Sequence, residues 1–120
     1  MRHLPEGLIS AVHTPFDASG ELDLTRVEPL AEHVAAQGLL GVYVCGSTGE
    51  WCSLSLEERR RLLQRWTDVT RGTSLRVLVH VGSNALGEAC ELARHAESCG
   101  VEGIAAMGPF YFKPTSAEVL

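Results

Sequence analysis

Two hydroxyl residues held between glycines, in Gly46-Ser47-Thr48-Gly49, give this chain its most direct means of doing chemistry. The glycines permit a tight turn that lays backbone N–H groups open, with the hydroxyls of Ser47 and Thr48 beside them. Amides and hydroxyls together make a small anion cradle. It suits a carboxylate, whose two oxygens can be shared among neutral donors without a full positive charge. The same stretch also reads as an ordinary strand-to-helix turn. Glu50 could serve as a base, but after a glycine turn at the start of a helix it is expected to anchor the loop through backbone N–H bonds.

The other reactive side chains have plainer readings. His13 and His80 fall on strands and could share a metal, yet no carboxylate or thiol stands at ligand spacing beside them, so no metal and no cofactor is expected. His33 and His95 lie on helices next to Glu32 and Glu97, where surface roles suffice. Trp51 and Trp66 read as core or interface. Cys45, Cys52, Cys90 and Cys99 form no Cys-x-x-Cys pair and are expected to be reduced, structural thiols.

These residues need elements to position them. Leu8-Ile9-Ser10-Ala11-Val12-His13-Thr14 reads as a strand stopped by Pro15, followed by the turn Asp17-Ala18-Ser19-Gly20. Thr25 and Glu28 form a capping box for a helix with the apolar stripe Val27, Leu30 and Val34, ending at Gly38; Pro29 leaves its start uncertain. Gly41-Val42-Tyr43-Val44 is a strand buried on both faces, of the kind found in parallel sheets covered by helices. Ser55 and Glu58 cap the next helix, which turns Leu56, Leu62, Leu63 and Trp66 inward and closes at Gly72. Residues 76–82 give a third strand, Ser83 or Asn84 caps a third helix to Gly100, and residues 103–108 give a fourth strand. Thr115 and Glu118 announce one more helix, which Leu120 cuts short.

The spacing carries a fold. Gly38, Gly41 and Gly46 recur as Gly100, Gly103 and Gly108, each 62 positions on, so one β-α unit averages about 31 residues. Eight such units make about 250 residues, the size of a (β/α)8 TIM barrel. The chain is 120 residues long. It is therefore expected to be a fragment or truncated product, with residues 1–120 forming the N-terminal half of a single barrel domain and holding about four strands and three helices. Net charge of −5 argues against nucleic acid, and the arginines at 59, 60, 61 and 65 follow Glu57 and Glu58 as a solvated helix face. No apolar run approaches a membrane span and no leader is visible, so a cytoplasmic protein with no membrane partner is expected.

Gly46-Ser47-Thr48-Gly49-Glu50 with Ser53-Leu54-Ser55-Leu56-Glu57-Glu58-Arg59 resembles the signature of the family containing N-acetylneuraminate lyase and dihydrodipicolinate synthase, and the resemblance covers nearly the whole chain. Within it, His80-Val81-Gly82 and Pro109-Phe110-Tyr111-Phe112-Lys113-Pro114 are more similar to the sialic acid lyases than to the synthases. The resemblance implies a class I aldolase, in which a lysine forms a Schiff base with pyruvate and a tyrosine moves protons during cleavage of N-acetylneuraminate to N-acetylmannosamine and pyruvate. It gives Ser47 and Thr48 the substrate carboxylate. It makes Tyr111 a loop tyrosine near the subunit interface of a homotetramer, able to reach a neighbouring active site. It places the Schiff-base lysine and the proton-shuttling tyrosine on later strands, outside this chain. Lys113, the only lysine present, sits in a loop as a solvated ammonium and is a poor imine former. The 120 residues alone are thus expected to be inactive. Two other readings stay open: a sibling pyruvate-dependent aldolase, either dihydrodipicolinate synthase or a keto-deoxy-sugar-acid aldolase, and a non-catalytic association module.

Overall fold

Alternating apolar residues place four short strands side by side in the computed structural model, which describes residues 6–111 and 115. In chain order the elements are β1 (Ile9–Ala11), α1 (Val27–Ala36), β2 (Gly41–Val44), α2 (Leu56–Thr70), β3 (Arg76–His80), α3 (Leu86–Cys99) and β4 (Gly103–Ala105). Every neighbouring pair is parallel, and the sheet order is β1-β2-β3-β4. The order never reverses, and α1 packs on α2 as α2 packs on α3. A doubly wound sheet must reverse its order somewhere; a barrel wall does not.

Period-two alternation then divides the sheet into two faces. Val42 and Val44 of β2 and Val77 and Val79 of β3 are buried in one core with Val27, Val34, Leu62, Leu63, Trp66, Leu92 and Ala96 of the helices. Tyr43 pairs with Leu78 on the opposite face, which is only half-buried, and His80 follows two residues on. Gly41 is required where β2 meets β3, because a Cβ there would lie 2.2 Å from the carbonyl oxygen of Arg76.

Several local expectations change. Strand β1 ends at Ala11, so His13 and Thr14 lie in the loop beyond it. The Thr25–Glu28 capping box does not form: Asp23 accepts from the Thr25 amide and hydroxyl and caps a 3₁₀ turn over Leu24–Arg26, so the α-helix starts only at Val27. Glu28 is drawn instead to Arg65 of α2 at 2.9 Å. The Ser55–Glu58 capping box forms as expected. Helix α3 follows Ala85 rather than a side-chain cap, because the Ser83 hydroxyl donates to Glu88 and accepts from the Ala85 amide. His95 is not a surface residue: it is half-buried between α2 and α3, with its Nε2 3.1 Å from the carbonyl oxygen of Arg60. The helix announced at Thr115 falls outside the described residues. No helix among those described is long and apolar enough to cross a membrane.

Candidate functional site

The Ser47–Thr48 turn begins where β2 stops. Cys45 takes up a left-handed conformation (φ 55°), which ends the strand at its C-terminal rim, and Glu50 does the same (φ 53°) before a 3₁₀ turn at Trp51–Ser53. Between them the Glu50 amide donates to the Ser47 carbonyl at 3.1 Å and the Trp51 amide to the Gly46 carbonyl at 3.4 Å. Close approach excludes a side chain at Gly46 and crowds one at Gly49. A Cβ on Gly46 would lie 2.6 Å from the Tyr43 ring, and one on Gly49 would press on the Cys45 backbone at 3.1 Å and the Val12 carbonyl at 3.2 Å. Thr14, buried just past β1, donates from its hydroxyl to the Gly49 carbonyl at 2.6 Å and so ties the turn to the neighbouring strand.

Ser47 and Thr48 are exposed. Among the described residues, nothing hydrogen-bonds to their hydroxyls or backbone N–H groups. The donors expected of a cradle are therefore free on the solvent side of the rim. Glu50 departs from its expected role: its carboxylate is exposed and meets no described backbone amide, and it is the Glu50 backbone that closes the turn.

The larger departure lies beneath the turn. Arg59, read in sequence as part of a solvated face, is 5% exposed. It reaches from the first turn of α2 to the end of β3, donating to the carbonyls of His80 at 2.7 Å and Gly82 at 2.9 Å. Its guanidinium carbon lies 5.3 Å from the Trp51 ring centroid, a cation–π contact. Burial pushes the Cys45 thiol up to about 11, and the charge of the same guanidinium pulls more weakly the other way. A cation therefore does lie close under the Ser47–Thr48 turn. A helical phase signal could have shown this, since positions 59, 62, 63 and 66 fall on one stripe.

His80 sits beside this cation, buried, with burial and then the charge of Arg59 holding it below the ordinary histidine range and so neutral. Its Nε2 accepts from the Met107 amide at 3.2 Å, which leaves the proton on Nδ1, a buried atom with no hydrogen-bond partner. Trp51 is half-buried and packs its ring 4.7 Å from His80 and edge-on to Phe110 at 5.4 Å. The Phe110 amide is in turn fixed by Asn84 at 2.8 Å. The rims of β2, β3 and β4 are thus joined in one cluster.

Tyr111 is 89% exposed at φ 79°, beyond β4. Lys113 is outside the described residues. His13 is exposed near Pro15, Arg26, Pro29 and Leu30, whereas His80 is buried against Trp51. No group of three His, Cys, Asp or Glu suited to a metal occurs among the described residues.

With that geometry in view, residues 4–120 match the dihydrodipicolinate synthetase family. The chain belongs to this family. N-acetylneuraminate lyase of Danio rerio is 39% identical over 115 residues, covering 95% of this chain and 38% of the relative. A 4-hydroxy-tetrahydrodipicolinate synthase of Synechococcus sp. (strain CC9605) is 42% identical over 107 residues, covering 89% and 35%. Among solved structures, a catalytic-lysine mutant of the Ruminococcus gnavus sialic acid aldolase superposes with a TM-score of 0.93 at 37% identity, over 99% of this chain and 39% of that one. The chain spans less than half the length of these relatives. As a member of the dihydrodipicolinate synthetase family it carries the first four strands and three helices of the (β/α)8 barrel.

Proposed function

We propose that this chain is the carboxylate-capturing N-terminal part, residues 1–120, of a single barrel domain in a pyruvate-dependent class I aldolase that cleaves N-acetylneuraminate to N-acetylmannosamine and pyruvate. The observation that carries the reading is the turn at the C-terminal rim of β2, where Ser47 and Thr48 leave their hydroxyls and amides open to solvent. In a barrel this is the rim on which substrate binds. A monoanionic planar carboxylate can take two hydroxyl donors and neighbouring amides there. The Schiff base with pyruvate and the proton transfers belong to a lysine and a tyrosine of later strands; this chain's share is to bind and orient the acid. Tyr111, exposed beyond β4, is assigned to the subunit interface of a cytoplasmic homotetramer, from which it reaches the neighbouring site.

A second reading, condensation of pyruvate with an aldehyde in the manner of a dihydrodipicolinate synthase, is favoured by the 42% identity to the Synechococcus protein. Cleavage of the sugar acid by the protein carrying the whole barrel separates the two. In that protein Thr48→Ala removes one hydrogen bond to a charged ligand, about 1.5 to 3 kcal/mol, and weakens pyruvate capture about ten- to a hundredfold with the fold intact. Unchanged kinetics with both pyruvate and the sugar acid would leave the turn a purely structural one.

A further inference from the structure

Arg59 is a buried cation whose donors reach only neutral groups. No carboxylate among the described residues pairs with it, and Glu88, the acidic group whose charge reaches it, is itself bound to Ser83. Its Nε has no hydrogen-bond partner at all. A guanidinium is costly to bury unless its charge and its donors are both used. Two donors are used on the carbonyls of His80 and Gly82, and the charge is left over. Its neighbours locate the place where the charge acts. Its guanidinium lies against the Trp51 ring, three residues after Thr48, and its charge reaches Cys45, two residues before Ser47, so it acts on both flanks of the turn. Through His80 its hold extends to Met107 at the rim of β4.

We propose that Arg59 is a positioning residue for carboxylate capture, clamping the rims of β2 and β3 together beneath the Ser47–Thr48 turn and supplying the positive potential that the turn's own side chains lack. The proposal rests on reading that turn as the carboxylate site. Arg59 lies under the turn and acts on the bound acid through the loop it shapes and through its field. Arginine is needed for geometry as well as charge: its planar fork spans two carbonyls while its face lies against Trp51, whereas lysine offers one point charge.

The test uses the protein carrying the whole barrel, with pyruvate as the probe, and compares Arg59→Met, Arg59→Lys and Thr48→Ala. Arg59→Met raises KM for the sugar acid and the dissociation constant for pyruvate by about ten- to a hundredfold, the scale expected when a positioned group shifts by ~1 Å. Arg59→Lys, which keeps the charge and loses the fork, falls between Arg59→Met and the parent. Added salt weakens pyruvate binding by the parent and has a smaller effect on Arg59→Met. A merely structural arginine would lower the melting temperature and the active fraction while leaving KM and its salt dependence untouched, and that result overturns the proposal. Should Arg59→Met fail to fold, Arg59→Lys decides: a KM equal to the parent's overturns the proposal, and a raised one supports it. Weakened capture in Thr48→Ala with both Arg59 variants normal defeats this inference alone. No effect in Thr48→Ala defeats the carboxylate assignment beneath it.

Discussion

Thr14 offers the sharpest test of how the turn is held in place. Its hydroxyl donates to the Gly49 carbonyl at 2.6 Å, and both residues are buried. Among the described residues that carbonyl has no other donor, so Thr14→Val, which keeps the side-chain shape, strands a buried acceptor at a cost of about 1–3 kcal/mol. Thr14→Ser keeps the donor and loses one methyl group, about 0.8 kcal/mol. Packing alone predicts the opposite ranking, since valine fills the site and serine does not. Denaturant midpoints of the two variants in the protein carrying the whole barrel decide the matter, with valine expected below serine. Because the bond seats the turn on the end of β1, Thr14→Val is also expected to raise KM for pyruvate several-fold, with Thr14→Ser close to the parent. Serine less stable than valine, with pyruvate capture equal in both, would refute the claim that this hydrogen bond positions the turn.

Two further expectations concern titration. The Ser55 hydroxyl and amide hold the Glu58 carboxyl below the usual carboxylate range. A depressed carboxyl stabilises the fold above its unfolded value and stops doing so as pH falls through its folded one, so Ser55→Ala should lose stability at pH 7 and lose less on acidification below about pH 4, read from denaturant midpoints across that range. The group is largely solvated, so the effect is expected to be a few tenths of a kcal/mol. Cys45, buried and pushed up to about 11, stays a thiol at pH 8, whereas Cys52 is exposed. Iodoacetamide should therefore label Cys52 and spare Cys45 in the native protein, as peptide mass mapping would show; equal labelling would contradict the buried environment of Cys45.

Much of this architecture was legible in the sequence because the signals were local and redundant. Apolar runs bounded by glycine gave each strand, and Ser55 with Glu58 gave the start of α2. The Gly-Ser-Thr-Gly turn was legible for the same reason, since Tyr43 leaves no room for a Cβ at Gly46, and Cys45 and Val12 leave only a tight one at Gly49. What escaped depended on partners remote in sequence. Asp23 outcompeted Thr25 as a cap by taking the Thr25 hydroxyl for itself. Arg59 was hidden by composition: three consecutive arginines after two glutamates read as solvated, yet one arginine in that run points along the same stripe as Leu62, Leu63 and Trp66. Its partners, the carbonyls of His80 and Gly82, lie more than twenty residues downstream and have no side-chain signature. Trp51 reads in sequence as core or interface, and only the folded rim shows it covering both a histidine and a cation.

The sheet order also bears on how such a chain is made. Each strand pairs with the one synthesised just before it: Ile9 meets Gly41, Gly41 meets Arg76, and Leu78 meets Gly103. In the pairings among these four described strands the loop closed at each step spans only about one β-α unit, so its entropic cost stays low. At translation rates of about 5–20 residues per second, a new unit leaves the ribosome every few seconds. That is long compared with the microseconds in which helices and short loops form. The wall can therefore grow one strand at a time from the amino terminus, with the rim carrying Ser47 and Thr48 in place as soon as β3 has docked and delivered the carbonyls that Arg59 holds.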